Sequence, residues 1–164
     1  MMTELLGKIV GLILAHGVLI GNDLPEGELL VPVVIYYEGN SRKLEAFEAD
    51  TQQEAVDLAN QFLNDLPKSV DSWTFIREGA IALSNNEKQD VYYIKAWTQG
   101  MSEPMELYQM YNTKPFELVG NIKIINFSET GIKAESASVF TKALYEGVFS
   151  HPSDNKEILR KWFN

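Results

Sequence analysis

The sequence predicts an α+β fold: a mainly antiparallel sheet of five to six strands with helices at the N- and C-terminal ends. Three observations carry this reading. Apolar residues recur every three or four positions near both ends and after Thr51, the spacing of helices with one buried face. Between Trp73 and Phe127 the pattern changes to extended runs rich in aromatic and β-branched residues. Short turn formers separate those runs, and short loops join antiparallel neighbours. The 164 residues fit one α+β domain, 1–164, long enough to bury about two thirds of the surface of the unfolded chain.

The first helix is read from about Glu4 to His16, with Thr3 as N-cap and Gly17 in the left-handed position that ends helices. Gly7 and Gly11 on it are spaced for close packing. The surrounding apolar stretch, Leu5 to Ile20, is shorter than the roughly 18–20 residues that span a bilayer. It lacks the positive start and small-x-small exit of a secretory signal, so it is read as a buried helix of a cytoplasmic protein. The glycosylation-like Asn126-Phe127-Ser128 is then a chance match.

Leu29 to Tyr37 is a continuous apolar run of the kind a strand covered on both faces requires, so Val33 to Tyr37 is expected in a central strand with Pro32 at its start. Glu38 to Ser41 turns the chain, and Lys43 to Ala49 returns as an edge-like strand with Leu44 and Phe47 apolar. Thr51 and Glu54 form a capping box, and Ala55, Leu58, Ala59, Phe62, Leu63 and Leu66 give the helix up to Pro67 one buried face. Four extended segments follow: Trp73 to Leu83, Val91 to Thr98, Met105 to Tyr111 and Phe116 to Phe127. Gly120-Asn121 in the last is either a bulge or a hairpin turn. Ser136 is placed to cap a helix through Val148, and Asp154 with Glu157 starts a last helix through Phe163.

Placing the first strand beside the last strand of the meander gives the order 2-1-5-4-3. That layout resembles profilin-like and PAS-like domains in topology alone, and topology does not carry function.

Composition removes several chemistries. Without cysteine there is no thiolate nucleophile, disulfide or cysteine-ligated metal. His16 and His151 lie far apart in sequence with no partner motif, so neither is read as catalytic or as a metal ligand. No Gly-rich phosphate loop or nucleophile elbow is present, and no cofactor is expected. Carboxylate acid–base catalysis is the remaining enzymatic option, with Asp90, Glu103, Glu106 and Glu117 in or beside the meander and nothing selecting a pair.

Of the net charge of −9, residues 1–66 hold −8, from eleven acids and three bases. This repels nucleic acid and anionic lipid and suits a basic protein partner. Tyr93 and Trp97 share one face of their strand, and Tyr108 shares a face with Glu106 and Met110. Tyr and Trp are enriched at interface centres. The expectation is a non-catalytic protein-interaction module, adaptor or inhibitor-like, contacting its partner through Tyr93, Trp97, Tyr108, Glu45 and Glu48. The alternative is a small-ligand sensor or carrier of PAS-like layout, which a closed sheet–helix cavity of about 300 Å³ or more would favour.

Overall fold

Val33, Val34 and Ile35 are buried in an internal strand, β1 (Val33–Glu38), and the other elements are layered around it. A computed structural model describes residues 2–163. In chain order it gives α1 (Met2–Asp23), β1, β2 (Ser41–Ala46), α2 (Gln52–Asn64), β3 (Ser72–Ala82), β4 (Lys88–Thr98), β5 (Met105–Thr113), β6 (Phe116–Ile124), α3 (Ala137–Phe149) and α4 (Lys156–Phe163). The sheet is antiparallel throughout, in the order β2-β1-β3-β4-β5-β6.

This order corrects the predicted 2-1-5-4-3 arrangement and removes the likeness to profilin-like and PAS-like domains. β2 ends beside Val33, and α2 carries the chain back to the other end of β1, so that β3 enters opposite Tyr37. The free edge of β1 is the nearest place to pair. Asp71 N–H donates to Tyr37 O at 2.9 Å, and the meander then grows outward strand by strand. Short connections between sequential strands win over a crossover spanning the sheet. β1 is internal as expected, but β3 and β4 are the middle pair.

The inner face of the sheet packs on α1, and α3 packs on the far side of α1. Coverage on both sides explains why α1 is apolar all round rather than striped. By length and composition α1 is the one described helix that could cross a membrane; here it is the central helix of the core. It runs six residues beyond the predicted stop at Gly17, because that glycine faces Ile76 and Leu30 inside the core instead of entering a turn. Gly7, Gly11 and Gly147 let α1 and α3 approach backbone to backbone.

On the outer face α2 covers β1 and β3: Ala55 and Ala59 meet Val34, Phe47 and Phe75, and Phe62 packs edge-on against Tyr36 and Phe47. The Thr51 hydroxyl accepts from Glu54 N–H at 3.1 Å, the first half of the capping box. Ser136 makes no side-chain cap, because a short 3₁₀ turn at Ala134–Ser136 already feeds the chain into α3. Gly120-Asn121 is a bulge: Tyr108 pairs with Lys123 but Met110 with Val119, leaving extra residues on β6. Gly120 takes φ +68°, and the buried Gln109 amide donates to the carbonyls of Gly120 at 3.0 Å and Met110 at 3.1 Å. Asn126 brackets the start of β5, accepting from Glu106 N–H at 2.8 Å and donating to Pro104 O at 2.9 Å.

Candidate functional site

Strand pairing decides which side chains meet. Tyr93 lies directly opposite Tyr108, Trp97 opposite Trp73, and Lys95 opposite Glu106. All six therefore share the outer face, where alternation has turned Ile94, Ala96, Leu107 and Gln109 inward to the core. Arg77 stands beside Tyr93 with its guanidinium 5.2 Å from the ring centroid, and Lys123 stands beside Tyr108. Tyr93 donates a short hydrogen bond to Glu106. Burial, and next the Glu106 carboxylate, push the Tyr93 hydroxyl well above its ordinary pKa, so it is a permanent donor.

Among the described residues, α2 is the helix on this side, and it stops at β3. The aromatics on β4 and β5 remain partly exposed. Between Leu63, Leu66 and Pro67 at the end of α2 and Pro104 on the far side, Trp73 and Trp97 floor an open groove of about 370 Å³. Glu45 lies opposite Val34 at the β2 edge and Glu48 in the loop after β2, so α2 separates both from the aromatics. The charged groups among the aromatics themselves are Arg77, Lys95, Lys123 and Glu106.

A second feature lies where β3 and β4 extend past the end of α1. The loop from Leu24 to Leu29 roofs this overhang and leaves a cleft of about 500 Å³. Its floor carries Glu78, Asp90, Tyr92 and Tyr111; its roof carries Glu26 and Glu28. Tyr92 and Tyr111 are stacked, with centroids 4.1 Å apart. Burial holds the Glu78 carboxyl above its ordinary range, against the opposing pull of the Leu30 N–H and the Tyr111 hydroxyl. No sequence motif marked this site, because its acids come from a loop and two strands; Glu78 at an inward strand position was the one available clue.

The histidines do meet, with ring centroids 6.0 Å apart. Burial, and then His151, lower the His16 pKa; burial, then Lys156 and Arg42, lower that of His151. His151 Nδ1 accepts from Ser153 N–H at 3.1 Å, which orders the turn into α4. Its charged neighbours are cationic, a setting that disfavours another cation. The four acids considered for catalysis are scattered. Asp90 is in the cleft, Glu106 is held by Tyr93, Glu117 accepts from Asn112 at 2.9 Å, and Glu103 lies between β4 and β5.

Fold and surface together define a helix-covered antiparallel sheet with one partly bare aromatic face. No protein-family model, curated protein or solved structure matches the chain.

Proposed function

We propose that this chain is a non-catalytic protein-interaction module whose partner docks on the outer face of β4 and β5. The observation that carries the reading is the side-by-side placement of Trp73, Trp97, Tyr93 and Tyr108, all partly exposed, on the outer sheet face beyond and beside α2. Rigid aromatics bury much area at little entropic cost, and a strand backbone holds them in fixed register. The groove beside Trp97 accepts an apolar side chain of the partner.

Charge orients the complex. Acids Glu45, Glu48, Glu54 and Asp57 lie on the β2 and α2 side, while Arg77, Lys95 and Lys123 stand among the aromatics. A partner with basic groups facing α2 and carboxylates facing Arg77 and Lys123 is complementary to this dipole, and such complementarity acts mainly on association rate.

The test is affinity capture from native lysate followed by binding kinetics on the identified protein. Trp97→Ala is expected to cost about 2 kcal/mol or more, roughly thirtyfold in Kd, through faster dissociation. Glu45→Lys with Glu48→Lys is expected to slow association, with an effect that shrinks as salt rises. A complex indifferent to Trp97→Ala, Tyr93→Ala and Tyr108→Ala, with each variant still folded, overturns the proposal.

A further inference from the structure

We propose that the free edge of β2 pairs with the same edge of a second copy of this chain, joining two sheets into one across a two-fold axis at Leu44. The contact is separate from the outer aromatic face and stands without it. β2 has β1 on one side and, among the described residues, no strand on the other. Its hairpin fixes which backbone groups are left over. The two-residue turn Gly39-Asn40 makes Glu38 and Ser41 a hydrogen-bonded pair, and further along Phe47 N–H donates to Pro32 O at 2.9 Å. Ser41, Lys43, Glu45 and Phe47 therefore bond toward β1, while the N–H and C=O groups of Arg42, Leu44 and Ala46 point out of the sheet. The other free edge, β6, is interrupted by its bulge, a device that keeps edges apart; β2 has neither bulge nor proline.

Antiparallel pairing about Leu44 uses all of these groups. Leu44 exchanges both bonds with Leu44 of the second copy, and Arg42 does the same with Ala46 in each direction. The side chains then fall into complementary pairs. On the outer face Lys43 of each copy lies directly opposite Glu45 of the other, in the closer, non-hydrogen-bonded kind of pair, so two opposite-charge contacts flank the axis. Moving the axis to either neighbour sets Lys43 against Lys43 or Glu45 against Glu45, so charge selects Leu44. On the inner face Leu44 meets Leu44, covering an apolar side chain that is 51% exposed in the single chain. Arg42 falls opposite the small Ala46 and hydrogen-bonds back to the Tyr37 hydroxyl, which leaves the approach open. Within one chain Lys43 pairs with the Glu38 carboxylate at 3.3 Å, a solvent-exposed contact of little weight that leaves the ammonium able to reach a second carboxylate.

Sedimentation equilibrium of the full chain tests this. The average mass is expected to climb from 18.5 kDa toward twice that value as the concentration rises to about 1 mM. Lys43→Glu alone and Glu45→Lys alone each set two like-charge pairs across the axis and should weaken the dimer at least about tenfold in Kd. An equimolar mixture of these two variants should restore it, because each then faces the opposite charge even though both remain net acidic. Trp97→Ala should leave the dimer unchanged, which separates this contact from the aromatic face. A mass of 18.5 kDa at every concentration overturns the proposal. So does a dimer indifferent to both single reversals or lost in Trp97→Ala, either of which would place the contact elsewhere, and so does a mixture that stays monomeric.

Discussion

Gly11→Ala isolates the contact that fixes α1 in the molecule. A Cβ at this position would lie 2.8 Å from Val148 N and 2.9 Å from Leu144 C, and nearer still to Leu144 O. The obstruction is backbone, so no side chain can rotate out of the way. Reaching ordinary contact of about 3.4 Å with Leu144 O, the nearest of the three, requires α1 and α3 to separate by about 1.5 Å, loosening the packing of Val10, Leu14, Phe140 and Leu144. Overpacking of this kind costs about 1–3 kcal/mol, and movement of a whole helix pair puts Gly11→Ala near about 3. Alanine returns about 1 kcal/mol of helix propensity. The net expectation is a loss of about 2 kcal/mol. With a urea m-value of about 2 kcal/mol/M, the unfolding midpoint falls by about 1 M. Gly79→Ala is the control: its Cβ meets only Val91 Cγ2, at 3.8 Å, and its midpoint should barely move. A Gly11→Ala midpoint equal to or above that of the parent would refute the close α1–α3 approach.

Four further outcomes follow from the same geometry. Gln109→Leu leaves bulge carbonyls without their donor and should cost about 1–3 kcal/mol by urea melt; no loss would mean that water serves the bulge equally well. Phe62→Ala removes two edge-to-face contacts, but from a half-buried site, so its cost should be about 2–3 kcal/mol, below that of a fully buried phenylalanine. The folded pKa values of His16 and His151 lie below the ordinary 6.5, so the stability they contribute is complete above about pH 6.5 and is lost as pH falls. Thermal melts of the parent between pH 7.5 and 5 should therefore fall more steeply than those of His16→Asn with His151→Asn, and parallel curves would contradict this. Glu78 runs the other way: its raised pKa means that ionisation opposes folding above about pH 4.5, so Glu78→Gln should raise Tm at neutral pH.

Much of the fold was legible because local patterns coincide with the elements. The Leu29–Tyr37 run, the Thr51 cap and the alternation in Val91–Thr98 each mark an element whose burial the tertiary structure then uses. The strand order was not legible, since it depends on which edge α2 delivers β3 to, and no residue pattern encodes that choice. The end of α1 was misplaced for a related reason. Gly17 is a stop signal only in solvent, and here Ile76 occupies the space where a side chain would sit. Alternation grouped Tyr93 with Trp97, but only the Tyr93–Tyr108 register joins the two strands into one surface. The cleft was invisible for a simpler reason: it arises from strands longer than the helix beneath them.

The placement of α1 also bears on biosynthesis. The helix is made before every surface that shelters it, since β3 begins at Ser72 and α3 ends at Phe149. At about 5–20 residues per second, the roughly 126 residues from Asp23 to Phe149 take about 6–25 s to synthesise. Until then the α3-facing side of this 22-residue helix lacks its cover, and the helix is long and apolar enough to cross a membrane by length and composition. Closure of the core therefore waits on α3, the last of the two layers that bury α1 to be made.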